Sequence, residues 1–252
     1  MLINALLIAF STYSKIPVPQ AKWTEKNMKY SICFFPLIGV VIGALVYGVY
    51  YLMLKFEVNE IFMAGVLTSV PVLLTGGIHL DGYLDTLDAL SSYGSMEKKQ
   101  EILRDPHAGV FAIIRCCLFF VLYFAFATLL STETILFLSL GFVLSRALSG
   151  LFLVSFKPVE GSSLLKAFSD SSKKKVVKFS MIFYILVVLV FSFMNNYIYT
   201  LGLVVASLIA FIVYIRVAKK QFGGISGDLN GYFLQKCELY ILIVIGLLGV
   251  IL

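Results

Sequence analysis

Long uninterrupted apolar stretches separated by short polar segments dominate the chain from residue 31 to its end. Because these stretches are continuous and do not alternate, they indicate membrane-spanning helices and not the strands of a barrel. We expect seven spans, near residues 31–54, 60–78, 110–130, 134–156, 179–194, 197–215 and 238–252. The last is short for a crossing of about 20 residues, which leaves its start open as far back as Tyr232. The pattern predicts one all-α, multi-pass domain over residues 1–252.

The N-terminal segment carries an apolar run of only about ten residues, with no leading positive charge and no small-residue cleavage site. A cleaved signal peptide would have both of these features. We therefore expect a short helix that lies in the membrane interface and ends before Pro17.

Composition supports the same class of protein. Hydrophobic residues make up 60% of the chain and charged residues 13%, where soluble proteins average about 45–50% and about 25%. This excludes a soluble globular domain, a disordered chain and a coiled coil. The four cysteines lie in or beside apolar runs without CxxC spacing, so they indicate neither a disulfide framework nor a zinc site.

The basic residues are distributed unequally between the two sides of the predicted bundle. Alternate loops hold 17 of the 20 Lys and Arg residues, the opposite loops hold only Lys55, and Arg115 and Arg146 lie within spans. Basic loops face the cytoplasm, so we expect an inner-membrane protein whose basic side is cytoplasmic. The net charge of +6 is then a topology signal, and we expect no nucleic-acid partner.

Three aspartates follow the second apolar stretch directly: Asp81, Asp85 and Asp88. Their spacing places them within a sector of about 60° on one helix face. Carboxylates this close repel one another and are costly to desolvate near a membrane, and a divalent cation relieves both problems. Oxygen ligands without cysteine favour Mg²⁺ or Mn²⁺ over zinc. The alternative is that Asp81 caps a helix and the other two are solvated. Gly82 would allow a phosphate or a backbone segment to approach closely.

A second acidic element lies before the last span and on the same predicted face. It runs from Gly223 to Gly231, with four glycines in nine residues, and contains Asp228; Glu238 follows ten residues after Asp228. Such a segment can expose backbone amides that bind phosphate, or it can be a simple turn. Together with the three aspartates it predicts a combined metal and phosphate site.

Basic side chains near these acids are candidates for binding phosphate. Arg104 ends the acidic loop, and Lys157 opens the next loop on that side. Arg146 lies deeper in a span and should pair with an acid or with a substrate phosphate. Arg115 could extend to the interface. His79 is a candidate general base, with a hydrogen-bonding structural role as its alternative.

Acids for a metal, cations for phosphate and a glycine turn suit phosphoryl-group transfer. The chain has no Walker A sequence and no kinase glycine loop, so we expect a pyrophosphate-linked donor. A cation- or proton-coupled transporter is the competing hypothesis, although its site would lie near the bilayer midplane. A structural membrane subunit would leave the three aspartates unexplained.

Residues 77–89, GIHLDGYLDTLDA, resemble the G-x-H-x-D-G-x2-D-T-x-D-A element of the cobalamin synthases, formally adenosylcobinamide-GDP ribazoletransferases. The chain departs from the family pattern at His107, Ala112, Tyr232 and Gln235. Elements similar to those of the family also occur at Lys15–Pro19, Asp105 with Gly109, Ser145–Arg146, Lys157–Gly161, and Gly227–Gly231 with Glu238.

The resemblance implies a reaction that joins α-ribazole, or its 5′-phosphate, to adenosylcobinamide-GDP and releases GMP, with Mg²⁺ required and Mn²⁺ as a possible substitute. It implies these substrates and membrane lipid as partners and leaves a homo-oligomer open. A ribazole hydroxyl would be deprotonated by His79 or by an acid that the metal does not engage. The implied metal ligands are Asp81, Asp85, Asp88, Asp228 and Glu238, and the implied phosphate-binding residues are Lys15, Arg104, Arg146, Lys157 and Gly227.

Overall fold

The computed structural model describes residues 1–105, 107–159 and 173–252, and in these residues the chain is an all-α bundle without a β-strand. A 3₁₀ turn spans Ser31–Phe34, and a π-helical turn spans Ala218–Phe222. The α-helices in the described ranges are α1 (Leu2–Tyr13), α2 (Glu25–Met28), α3 (Phe35–Lys55), α4 (Glu60–Thr75), α5 (Ile78–Ser91), α6 (Met96–Ile102), α7 (Val110–Ala127), α8 (Thr134–Ser155), α9 (Lys174–Asn195), α10 (Tyr197–Val217) and α11 (Gly227–Ile251).

Among the described helices, α3, α7, α8, α9, α10 and α11 are long and apolar enough to cross a membrane. This confirms the prediction of a multi-pass helical bundle. The structure does not have one straight spanning helix at the expected span of 60–78. Helices α4 and α5 reach spanning length only as a pair, and the chain bends by 94° between them. Three carboxylates in the 14 residues of α5 would be costly in hydrocarbon. We therefore count α5 as lying outside the membrane-spanning segments.

Two glycines produce the bend between α4 and α5. Gly76 and Gly77 have φ angles of 65° and 80°, a left-handed conformation that side chains with a Cβ rarely adopt. The end of the N-terminal segment is fixed to this bend, because the backbone N–H of Lys15 donates to the carbonyl of Leu74 at 2.7 Å. The expected short N-terminal helix is present as α1, which ends at Tyr13, ahead of Pro17.

Helix α8 is the centre of the bundle, with 17 of its 22 residues buried. It packs closely against α3 through two glycines four residues apart. A Cβ on Gly39 would lie 2.3 Å from the carbonyl oxygen of Phe142, and one on Gly43 would lie 2.5 Å from that of Ser139. Small residues at this spacing let membrane helices approach backbone to backbone.

The last helix begins much earlier than the hydrophobic pattern predicts. It starts at Gly227, where the Ser226 side chain accepts a hydrogen bond from the N–H of Leu229 at 3.1 Å and caps the helix. After the exposed Gly227 and the half-buried Asp228, residues 229–234 are buried in protein, and the polar Asn230 among them accepts a 2.6 Å hydrogen bond from the hydroxyl of Tyr214. Lys236, one of the 17 basic residues that the sequence places in loops, therefore lies within α11.

Candidate active site

Helix α5 and the start of α11 touch through glycines. A Cβ on Gly82 would lie 2.6 Å from the Cα of Asp228, and one on Gly231 would lie 2.7 Å from the carbonyl oxygen of His79. Only glycine at these two positions leaves room for the two backbones. The backbone of α11 thus makes the close approach that Gly82 permits. This contact brings Asp228 beside the acidic face of α5.

Four carboxylates gather at this junction, which we call the acidic junction: Asp81, Asp85, Asp88 and Asp228. Asp85 is half-buried and lies within electrostatic reach of the other three. Burial raises the pKa of Asp85 to about 7, and the three neighbouring negative charges act in the same direction. In the described part of the chain, none of the four forms a salt bridge.

Gly109 adds a constraint that sequence reasoning missed. It lies directly before α7, and a Cβ at this position would lie 2.0 Å from a carboxylate oxygen of Asp88. The side chain of Asp88 therefore rests against the backbone at the start of α7. The only signal in the sequence was the spacing of Gly109 from Asp105, which says nothing about Asp88.

The donor chemistry of the acidic junction fits a hard divalent cation. All four groups are carboxylates, none forms a salt bridge within the described residues, and their mutual repulsion is the cost that such an ion removes. Within those residues, no three His, Cys, Asp or Glu side chains stand close enough to hold one ion between them. Mg²⁺ commonly takes one or two carboxylates and fills its other positions with water and substrate phosphates, so this arrangement suits Mg²⁺ better than a metal that needs a closed protein cage.

Arg146 and Glu238 are paired with one another inside the bundle. The Nη1 of Arg146 donates to Oε1 of Glu238 at 2.7 Å, and the two residues are only 1% and 3% exposed. The Ser145 hydroxyl donates to the same oxygen at 3.0 Å. An acid was one of the two partners expected for Arg146. The structure brings neither residue to the acidic junction, since Glu238 is not among the charges that act on Asp85.

His79 lies on the opposite face of α5 from the three aspartates, as its spacing of two residues from Asp81 requires. It is buried, with its ring stacked 6.1 Å from that of Tyr13 and tilted 5.7 Å from that of Phe35. Burial, and then the charge of Arg146, lowers the pKa of His79 to about 3, so the imidazole is neutral. Neither ring nitrogen has a hydrogen-bond partner among the described residues.

Lys157 is held beside the glycine-rich segment that precedes α11. Its carbonyl accepts from the N–H of Ile225 at 3.0 Å, and the N–H of Val159 donates back to Ile225 at 2.8 Å. A Cβ on Gly224 would lie 2.8 Å from the Lys157 carbonyl oxygen, so glycine is needed for this contact. Backbone hydrogen bonds therefore connect the segment that begins at Lys157, a predicted phosphate-binding residue, to the glycine-rich segment. Glu160 and Gly161 of the family-like element lie outside the described residues.

The remaining candidates are exposed. Gly227 opens α11 with free space around it. Arg104 follows α6, and Lys15 packs its alkyl chain over Gly76 at the α4–α5 bend. Asp105 accepts hydrogen bonds from the backbone N–H of His107 and pairs with its ring at 2.8 Å, and these bonds lower the pKa of Asp105. His107 thus contacts the aspartate of its own loop.

Comparison with known proteins identifies similar chains over nearly the full length. The sequence profile of the family described as Cobalamin-5-phosphate synthase matches residues 5–246. A protein of Lachnoclostridium phytofermentans is 45% identical over 237 residues, covering 94% of this chain and 91% of the relative. Relatives from Clostridium perfringens strain 13 and Treponema denticola are 34% and 32% identical, covering 97% and 95% of this chain and 98% and 96% of their own. All three are named adenosylcobinamide-GDP ribazoletransferase. No solved structure matches the chain.

Proposed function

The chain belongs to the cobalamin-5-phosphate synthase family, and from this we propose that it is an adenosylcobinamide-GDP ribazoletransferase of cobalamin biosynthesis. Its substrates would be adenosylcobinamide-GDP and α-ribazole or α-ribazole 5′-phosphate, and GMP would be released. The observation that carries the proposal is the acidic junction, a set of four carboxylates, none of which forms a salt bridge among the described residues.

The reaction assigns defined tasks to groups of the chain. A ribazole hydroxyl oxygen bonds to the phosphorus on the cobinamide side of the pyrophosphate, the bond from that phosphorus to the bridging oxygen breaks, and GMP leaves. The hydroxyl proton passes to a base. We assign this role to Asp85, because a pKa near neutrality suits proton transfer. The placement of His79, buried on the opposite face of α5, supports a carboxylate as the base in its stead.

One or two carboxylates of the set Asp81, Asp88 and Asp228 would bind Mg²⁺, with Mn²⁺ as a substitute, and water and substrate phosphates would fill the other positions. When bound, the ion would neutralise charge on the pyrophosphate oxygens. The exposed side chains of Lys157, Arg104 and Lys15, and the backbone at Gly227, would bind the remaining phosphate oxygens. The Arg146–Glu238 pair would hold α8 and α11 in register and so fix the start of α11, where Asp228 lies.

We assign the acidic junction to the cytoplasmic side of the inner membrane. The support is the distribution of Lys and Arg along the sequence, 17 of which belong to the predicted loops on the side of the junction or to the helix ends beside them. Nucleotide-linked substrates are cytoplasmic molecules, which agrees with that orientation. The site then needs no path across the bilayer for GMP.

The test is GMP release by the purified protein in lipid nanodiscs, supplied with adenosylcobinamide-GDP, α-ribazole and Mg²⁺. We expect Asp88→Asn and Asp81→Asn to lower the rate about 100-fold or more, in line with the loss of a positioned catalytic group. Glu97→Gln is the matched control, since Glu97 is an exposed acid of the neighbouring α6. Release of GMP by Asp88→Asn at the parent rate would contradict the assignment.

A coupled transporter remains the second candidate because the buried Arg146–Glu238 pair is a feature that transporters also use. Proteoliposomes distinguish the two functions. Proton or cation flux without GMP release would favour the transporter, whereas GMP release without flux would favour the transferase.

A further inference from the structure

Lys236 is a cation within a membrane-spanning helix, and aromatic rings surround it. Its ammonium nitrogen lies 6.0 Å from the ring centroid of Tyr83, 5.9 Å from that of Tyr232 and 5.6 Å from that of Tyr240. Contacts of this kind stabilise a cation over an aromatic face. No salt bridge of Lys236 occurs in residues 1–105, 107–159 and 173–252. The rings hold the ammonium in place, and its charge has no counter-ion within those ranges.

A second cation stands beside the first. The charge of Arg115, on α7, acts on Lys236 as its like-charged neighbour. Arg115 is exposed and, in the described ranges, also lacks a salt bridge. Phe111 and Leu118, one turn to either side of it, are 65% and 55% exposed. Arg115 therefore protrudes from the lipid-facing surface of α7, where an unpaired charge is costly.

The side chains around the Lys236 ammonium are uncharged tyrosines. The ionisable groups of Tyr83, Tyr232 and Tyr240 lie near enough to interact electrostatically, and the first two also feel the charge of Arg115. No hydrogen bond of these three phenols is found within the described residues. Two neighbouring cations, neither of which forms a salt bridge within the described residues, make a site for an anion.

We propose that Arg115 and Lys236, the latter held by the rings of the three tyrosines, bind a phosphate group at the membrane-facing surface of the bundle, on the α7–α11 side. The exposed apolar neighbours of Arg115 favour the phosphate of an anionic phospholipid, whose acyl chains would cover Phe111 and Leu118. A phosphate from the aqueous side has the same chemistry at its oxygens, and the experiment separates the two sources. The proposal does not depend on the transferase activity.

The test is native mass spectrometry of the delipidated full-length protein in detergent, titrated with phosphatidylglycerol and separately with phosphatidylcholine. We expect tighter binding of phosphatidylglycerol. Lys236→Met should weaken it about five-fold and Lys236→Met with Arg115→Gln about 25-fold, from the usual contribution of one basic residue near an anionic lipid. Lys236→Arg should retain binding. Lys175→Met is the control, because Lys175 is an exposed lysine in the first turn of α9.

Inorganic phosphate is added in a second arm. Displacement of the lipid by millimolar phosphate, or phosphate binding without lipid binding, would support the site and assign it to a phosphate from the aqueous side. Parent-like phosphatidylglycerol affinity in the double variant would overturn the proposal. An equal loss in Lys175→Met would also overturn it, since general charge would then explain the binding. Gel filtration and thermal unfolding restrict the comparison to variants that fold like the parent.

Discussion

Helix α11 carries two acidic residues, Glu238 and Asp228, whose charged neighbours differ in sign. Glu238 is buried, is 2.7 Å from Arg146 and also accepts from Ser145, so its charge is compensated inside the bundle. Asp228, ten residues earlier on the same helix, lies at the acidic junction, where its charged neighbours are other aspartates.

This difference distinguishes structural charge from charge that needs a ligand. A buried ion pair is costly to assemble and still more costly to break, because removing one partner leaves the other uncompensated. In a cluster of like charges each member repels the others when no cation is bound, so removing one charge should stabilise the fold. The two regions should therefore respond to charge removal with opposite signs.

The largest effect should come from breaking the buried pair. Glu238→Gln leaves the guanidinium of Arg146 buried without an anion, so we expect the free energy of unfolding to fall by about 3–5 kcal/mol. Thermal unfolding of the purified protein in detergent measures this as a lower midpoint. Yield in the membrane fraction should fall in parallel.

The control removes both charges together. Arg146→Met combined with Glu238→Leu should restore most of the lost stability, because an apolar pair of similar size has no charge to desolvate. Glu133→Gln, at an exposed acid before α8, should leave the midpoint unchanged. A midpoint of Glu238→Gln equal to that of the parent would show that the pair does not hold α8 and α11 together.

A smaller effect is expected from separating the backbones at the acidic junction. The Cβ of Gly82→Ala would lie 2.6 Å from the Cα of Asp228, so α5 and α11 must move apart. Overpacking of this kind costs about 1–3 kcal/mol. We also expect GMP release to fall more steeply than stability does, because the displacement moves Asp228 away from the aspartates of α5.

Gly48→Ala is the matched control for this change. Gly48 is also a helical glycine, but a Cβ there would meet nothing within 4 Å, so both stability and activity should be retained. Should Gly82→Ala keep parent activity at lowered stability, the contact would serve packing alone.

Much of the bundle could be predicted because long apolar segments have few structural options in a membrane. The predicted positions of the spans at 31–54, 110–130, 134–156, 179–194 and 197–215 agree with the helices in the structure to within several residues. The predicted start of the last span was wrong, because the first turns of that helix are buried against other helices and not in lipid. Helix α11 begins at Gly227 because its polar first turns, including Asn230, find partners in the bundle, and hydropathy does not register such partners.

The candidate site shows the same limit. The i, i+4, i+7 spacing of the α5 aspartates is local, so the shared face could be read from the sequence. The partner of Arg146 lies 92 residues away along the chain, and α6 lies between Asp88 and Gly109 in the sequence although the two residues are in contact. Such pairings depend on how helices pack, which a single sequence does not specify. The bend at Gly76 and Gly77 was missed because two glycines within an apolar run do not by themselves mark a break.

The smallest effect, and the one that separates the two regions by sign, concerns Asp85. Its pKa of about 7 in the folded chain lies above the value of about 4 expected for an unfolded one. The native state therefore loses stability as the pH rises from about 4 to about 7. Asp85→Asn cannot ionise and escapes this loss. Without divalent cations we expect the variant to be more stable than the parent at pH 8, by about 1 kcal/mol for a half-exposed side chain, and equal to it near pH 4.

Adding Mg²⁺ should reverse that order. The parent should gain stability by mass action, about 2.7 kcal/mol at a hundred times the dissociation constant, while Asp85→Asn gains less because its cluster has lost one charge. Unfolding midpoints at pH 4, 6 and 8, with and without Mg²⁺, measure both effects, with Glu97→Gln as the exposed control. A variant less stable than the parent at pH 8 without Mg²⁺ would place Asp85 in the same class as Glu238. If Asp85→Asn is more stable than the parent at pH 8 without Mg²⁺, the negative charge of Asp85 lowers the stability of the native state. This is the result expected for carboxylates that bind a cation.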